Sequence, residues 1–416
     1  MSRAIVLAAV ALACGIAAAP LAAQRIDRES VASRLRAYVE HSQIPGASLA
    51  IVDREGRVTS VTAGFADTTA RRAMRSRDRL LMGSVGKTYV AAVALQLVRD
   101  GRLDLDARVA SLLGGEGWFD SLPNASTMTL RQVMSHSSGL VRYEFQPTFL
   151  AALTGDPMRV WDPRDQLRFL HGRAAPFAAG AGWDYSDSNY LLVALAVERI
   201  TGEPIDVTIQ RRVLRPLRLR ETMPSDSPRL AGVVQGYAGP DNPFGGSDVM
   251  LRNGSMVLNP QFEGAGGGYA ATAADAARWG AAYFSGSYLG ESSLRAATTG
   301  VAARQLGPGT RYGLGMILRD SSVAGPVRFH SGFFPGYQAE LRHYPELGLT
   351  VALLINSSVV RPRPSLGLWV DSLAESLGRP VRAERLERSR ERERRTGRRD
   401  TVAPPRPLRF VRLLRI

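Results

Sequence analysis

The stretch LLMGSVGKTYVAAV, residues 80–93, can be read in two ways, and the choice between them decides the fold. As GSVGKT it approximates a phosphate-binding loop, which needs a Gly, four residues, and then Gly-Lys-Ser/Thr to wrap a phosphate in backbone N–H groups. Counting back from Gly86, the place of the first Gly is held by Leu81, whose Cβ obstructs the tight turn. The apolar run that should end in a magnesium-binding Asp is also missing, since LTVALLIN ends in Asn356. The nucleotide reading fails on these points. Read as Ser84-x-x-Lys87, the same letters put a hydroxyl and an amine one helical turn apart on one face.

Composition sharpens the second reading. Of 53 basic residues, 52 are Arg and one, Lys87, is Lys. Arg keeps its proton at any working pH, whereas a desolvated Lys can lose one and act as a base. A stray surface Lys is the plain alternative, but this one follows Ser84 by three residues and opens an apolar helix.

With 416 residues, 45% apolar and 22% charged, the chain has the composition of a globular protein with a large core. Its opening, MSRAIVLAAVALACGIAAAPLAAQ, reads as a secretory leader over residues 1–24, cleaved near Ala23 or Gln24. The only cysteine, Cys14, falls inside it, so the mature chain forms no disulfide. ALAC could serve as a lipoprotein box, but the apolar run continues past Cys14, and soluble export to the periplasm or medium is the expectation. The net charge of +15 is concentrated at the other end: residues 381–416 hold thirteen Arg against five acids. That Pro-containing segment reads as a solvated tail able to touch anionic envelope surfaces. A nucleic-acid function would need a recognition helix or stacking aromatics beside the charge, and neither is present.

Along the chain, IDRESVASRLRAYVEHSQ has helical spacing, and GASLAIVD, REGR and VTSVTAGFAD read as a β-hairpin. The helix SVGKTYVAAVALQLVRDG is closed by Gly101. Ala- and Leu-rich helical pattern runs from about 105 to 300. Strand character returns in PVRFHSGFF and YQAELRHYPELGLTVALLINSS, before a closing helix in PSLGLWVDSLAESLG. The expected fold is α/β in the α+β sense, with one domain over 25–380. Its antiparallel sheet comes from residues 25–80 and 300–380, is flanked by helices, and carries an inserted helical part over 105–300.

A Ser is a useful nucleophile only if a base takes its proton. A GxSxG turn is absent, and none of the five His lies near Ser84 in sequence. A neutral Lys one turn away is the other solution. Its ordinary pKa of about 10.4 must then fall, and burial and the helix N-terminus both push it down.

The surroundings of Ser84 resemble the serine β-lactamase and penicillin-binding protein superfamily, in its class C β-lactamase, D-alanyl-D-alanine carboxypeptidase and esterase branch. GSVGKTYVAAVALQLVRDGRLDLDARV is similar to that branch's Ser-x-x-Lys helix, and LRQVMSHSSGL to its His-x-Ser-Gly-Leu segment. WDYSDSNYLLVALAVERITG resembles its Tyr-x-Asn segment. GAGGGYAATAADAARWG resembles its Gly-rich segment, and RFHSGFFPGYQAELRHYPELGLTVALLINSS its Lys/His-x-Gly strand. The resemblances come in the family's order over roughly residues 30 to 375. They imply Ser84 as acylated nucleophile, Lys87 as its proton partner and Tyr185 as second acid/base. The Ser84 and Phe333 N–H groups would form the oxyanion hole. His330 would steady a substrate carboxylate, and Gly332 would let substrate backbone lie against the strand. No metal or cofactor is implied.

Each of these residues has a plainer reading. A Tyr before a helix usually packs, and a strand His is usually satisfied in place. His136 is expected to bridge loop backbone, and Tyr312 either lines the cleft or packs. Two departures stand out: His330 replaces the Lys of most class C β-lactamases, and Asp187 stands where the family has Asn. Asp187 either contacts Lys87 and raises its pKa or caps the helix beginning near Ser188. The expected function is an exported serine hydrolase acting on D-amino-acid peptides, cell-wall stem peptides by default, or on small esters and amides. A carboxylesterase or weak β-lactamase of the same fold, and a non-catalytic peptidoglycan or β-lactam sensing module, are the alternatives.

Overall fold

GASLAIV lacks polar alternation because both its faces are covered. In the computed structural model, which describes residues 25–240, 242–245 and 247–379, it forms strand β1 (Gly46–Val52), buried throughout. The expected leader 1–24 and the expected solvated tail 381–416 lie outside the described residues. β1 pairs antiparallel with β2 (Val58–Asp67) on one side and with the distant strand Leu349–Ile355 on the other. The second pairing sets Ala47 opposite Ile355 and Val52 opposite Thr350. Tyr337–Tyr344 and Val327–Phe334 follow outward from Leu349–Ile355 in an antiparallel sheet of nine strands. Both ends of the chain thus build one sheet, as the hairpin and late-strand patterns predict.

Period-two alternation sorts the buried strand residues onto two faces. Leu49, Ile51, Leu353 and Ile355 pack with Val31 and Leu35 of helix α1 (Arg28–His41) and with Trp369 and Val370 of the helical segment 366–379. Ala50, Ala352 and Leu354 belong to the opposite core with Trp279 of helix Ala273–Ser285. The small alanines admit that helix against the sheet. Asp27 caps α1, accepting from the Glu29 N–H at 3.1 Å.

The central helix α2 (Lys87–Arg99) is buried from Lys87 to Leu97. It begins later than its sequence pattern suggests, because Gly83–Gly86 wind as a tighter 3₁₀ turn. Helix Ser188–Thr201 packs beside it. A small sheet of Leu80–Leu81, Tyr269–Ala271 and Thr222–Pro224 had no visible sequence pattern, since two or three residues are too few for an alternation.

The turn bearing Ser84 docks onto the end of Val327–Phe334, and Gly332 makes that contact possible. A Cβ there would lie 1.8 Å from the Met82 carbonyl oxygen and 3.3 Å from the Ser84 nitrogen. The space on the Cβ side of Gly332 is filled by the chain's own Met82 peptide, while Gly332 also lines the cleft over Ser84. Gly332→Ala should cost about 1–3 kcal/mol by overpacking and lower activity by displacing Ser84. Denaturant unfolding and an activity assay check this; wild-type values in both would contradict the docking.

Candidate active site

Ser84 sits in the first turn of the 3₁₀ segment, partly exposed, with its N–H free of any carbonyl partner among the described residues. Lys87 opens α2 one turn later and is wholly buried. Its Nζ donates to Ser84 Oγ at 3.0 Å and bonds two further acceptors, Asp187 Oδ1 and the Gly266 carbonyl oxygen. Three acceptors match the three N–H donors of an ammonium, which has no lone pair. Gly266 is held close by Gly267, where a Cβ would lie 2.6 Å from the Gly83 carbonyl carbon.

Of the two opposing influences the sequence offers on Lys87, burial and contact with Asp187, the second prevails. Burial lowers its pKa, but the Asp187 carboxylate, aided by Tyr185, outweighs burial and raises it above the ordinary value. Asp187 is itself pushed up by burial, yet Lys87 and Arg142 together hold it well below the usual carboxylate range. Its side chain makes no capping bond to helix Ser188–Thr201, so of the two readings of Asp187 the contact with Lys87 is the one realised.

Sequence reasoning missed the groups behind Asp187. Arg142 donates from Nη2 to Asp187 Oδ2 at 2.8 Å and from Nε to Glu144 Oε1 at 2.5 Å. Burial, then Asp187, push the Glu144 pKa well up. Glu263 is pushed up to about 8 by burial, and its Oε2 has no partner. The only available signal was the Arg-x-Glu of LVRYEF, a charged pair in an apolar stretch just after SSGL.

Tyr185 brings its ring to 5.0 Å from Lys87 Nζ. Its buried hydroxyl makes no hydrogen bond of ordinary geometry. Burial raises its pKa, and the nearby Lys87 and Ser84 only partly offset this. The hydroxyl is therefore neutral and points no proton elsewhere. His136 holds this loop: its Nδ1 accepts from the Ser186 N–H at 3.2 Å and lies 3.1 Å from Asn189 Nδ2, with the ring 4.2 Å from that of Tyr185. It bridges loop groups as the sequence suggests.

His330 does not fit its implied role. Its Nδ1–H donates to the Ser331 carbonyl at 2.6 Å, leaving Nε2 to accept from the Tyr312 hydroxyl at 3.0 Å. Burial, then the charge of Lys87, lower its pKa to about 3. A neutral ring with no spare N–H cannot steady a substrate carboxylate. Tyr312, buried against it, packs.

A cleft of ≈ 530 Å³ opens over Ser84, with Tyr185 and Arg142 on one wall and His330 to Phe333, Gln338 and Glu340 on the other. A recess of ≈ 70 Å³ lies beside Ser84, lined by Phe145, Phe244, Phe262 and Glu263. The Phe333 peptide packs against Gly83, with a Cβ on that glycine falling 2.6 Å from the Phe333 nitrogen. Ser84 and Phe333 therefore lie side by side in the cleft.

A mixed fold with a large antiparallel sheet and a Ser-Lys pair in a cleft defines a serine hydrolase of the β-lactamase fold. The profile of the Beta-lactamase family matches residues 31–374, and the chain belongs to that family. It is 30% identical to Esterase EstB of Burkholderia gladioli, over 80% of this chain and 92% of the esterase. It is 27% identical to Penicillin-binding protein 4 of Amycolatopsis lactamdurans, over 82% and 86% of the two chains. Its fold superposes on the crystal structure of a D-stereospecific amidohydrolase from Streptomyces sp. with a TM-score of 0.69 and 26% identity, covering 80% of this chain and 96% of that one.

Asp187→Asn removes the charge that raises the Lys87 pKa and leaves the lowering effect of burial. The acidic limb of kcat/KM should move to lower pH, by roughly one to three units for a close opposite charge. A pH–rate profile of the variant reads this; an unmoved limb would separate Asp187 from the protonation of Lys87.

Proposed function

We propose that Ser84 forms an acyl-enzyme with small esters and with amides or peptides of D-amino acids, and that the Ser84–Lys87 contact of 3.0 Å carries the reaction. Ser84 Oγ attacks the substrate carbonyl carbon. Its proton passes to the amine form of Lys87, which the contact with Asp187 makes scarce at neutral pH. The oxyanion faces the N–H groups of Ser84 and Phe333. Tyr185 donates its hydroxyl proton to the leaving group as the C–O or C–N bond breaks, and recovers one from Lys87. Water then enters, and the same groups run in reverse to free the acid. Turnover rather than sensing is favoured by having Tyr185 beside Ser84 and Lys87.

The substrate class follows from what the walls offer. The strand wall has no cation at His330, which favours substrates lacking a carboxylate next to the scissile bond. A recess of ≈ 70 Å³ suits a short acyl group. The likeness to an esterase and a D-stereospecific amidohydrolase supports the same reading. A second reading, D-alanyl-D-alanine carboxypeptidase on cell-wall stem peptides, is favoured by Arg142 on the opposite wall, a cation within reach of a carboxylate. The leader 1–24 supports action outside the cytoplasm, and the Arg-rich segment 381–416 supports peripheral contact with an anionic envelope.

The test is a panel of p-nitrophenyl acetate, a D-alanine anilide, a D-Ala-D-Ala peptide and a fluorescent penicillin, with mass detection of the adduct. The ester and anilide should turn over faster than the peptide, with the acyl group on Ser84. Ser84→Ala should lose on the order of 10³-fold or more. A variant that kept its activity, or an adduct elsewhere, would overturn the assignment.

A further inference from the structure

Asp187 is bound by two cations on separate oxygens, Lys87 at Oδ1 and Arg142 at Oδ2. We propose that Arg142 is a positioning residue of this site, holding Asp187 and drawing part of its charge away from Lys87 so that Lys87 can exchange a proton with Ser84. The inference rests on the acyl-enzyme reading of Ser84 and Lys87.

Arg142 is fixed more firmly than a solvated surface arginine would be. Its Nη2 reaches Asp187 at 2.8 Å and its Nε reaches Glu144 at 2.5 Å. Its guanidinium carbon lies 4.4 Å from the Phe145 ring centroid and 5.4 Å from that of Tyr185. A planar fork can make the two carboxylate contacts and the two ring contacts together; an ammonium cannot. Glu144 is 4% exposed, so the pairing is built into the interior, and Arg142 alone extends from there to the cleft wall.

The charges around Lys87 give the arrangement its consequence. The charged groups around it are Asp187 and Arg142, with Glu144 ion-paired to Arg142 behind them. Glu144 and Glu263 are both pushed upward by burial, the latter to about 8. His136 and His330 are both lowered by burial and stay neutral. Tyr185 and Tyr190, whose rings face Nζ at 5.0 and 5.7 Å, are raised by burial and neutral as well. Without Arg142, the Asp187 carboxylate would act on Lys87 alone and bind the ammonium harder. An amide at 187 would carry no charge and need no such partner. The Asp at 187 and the Arg at 142 are thus two halves of one device.

That pairing predicts a pattern a merely structural arginine would not give. Arg142→Gln should move the acidic limb of kcat/KM to higher pH, with kcat/KM at pH 7 falling about tenfold for each unit moved. Adding Asp187→Asn should remove that loss, bringing the double variant to within about threefold of Asp187→Asn alone, a non-additivity expected of residues in direct contact. Should Arg142→Gln not fold, Arg142→Lys carries the test. It keeps the charge but cannot hold both carboxylates, so its limb should move in the same direction by less. Losses that simply add, or an unmoved limb in the folded variants, would overturn the role of Arg142. Ser84 adduct formation with a fluorescent penicillin, run in parallel with Ser84→Ala, separates this from the underlying reading. If activity does not depend on Ser84, the acyl-enzyme reading fails. If it does and the losses add, Arg142 alone fails.

Discussion

Lys87 is wholly buried, and its three N–H groups are taken by Ser84, Asp187 and Gly266. Burying a charge is costly unless it is paired and hydrogen-bonded, so much of the surrounding structure meets that demand. The Gly-rich segment brings the Gly266 carbonyl into reach. The loop held by His136 brings Asp187 and Tyr185. The strand Val327–Phe334 accepts the Ser84 turn at Gly332. Residues from three distant stretches of the chain thus converge on one nitrogen.

The same pairing shapes the chemistry. In a Ser-Lys hydrolase the amine should be easily deprotonated, and burial by itself would achieve this. Here a carboxylate reverses the direction, so Lys87 works as one half of a proton-sharing pair with Asp187. The resting ammonium donates to Ser84 Oγ and orients it. Proton acceptance requires the amine form of Lys87, which Asp187 disfavours; that is why the acidic limb of such an enzyme lies high and why the group behind Asp187 matters.

Much of this was legible in the sequence, for identifiable reasons. The two-faced burial of GASLAIV and LTVALLI, the one-turn spacing of Ser84 and Lys87, and the lone lysine among 52 arginines are local patterns. They gave the sheet, the central helix and the centre of the site. What was not legible depends on contacts between distant segments. Which of the two readings of Asp187 held, contact with Lys87 or a helix cap, was settled only by the approach of residues one hundred positions apart. The docking of Met82 against the Cβ side of Gly332 joins segments 250 residues apart and left no local pattern. His330 lost its implied contact because Tyr312 and its own neighbour's carbonyl occupy both nitrogens. Arg142 and Glu144 left only a charged Arg-x-Glu pair in an apolar stretch.

A single lysine makes the central claim directly measurable. Protein labelled with ¹⁵N or ¹³C at the lysine side chain should give one side-chain signal, that of Lys87, which can be followed across pH. The account predicts an ammonium at neutral pH that keeps its proton to a pH above the ordinary lysine value of about 10.4. A signal that titrates near or below neutral pH in the free enzyme would contradict it, and with it the reading of Lys87 and Asp187 as one proton-sharing pair.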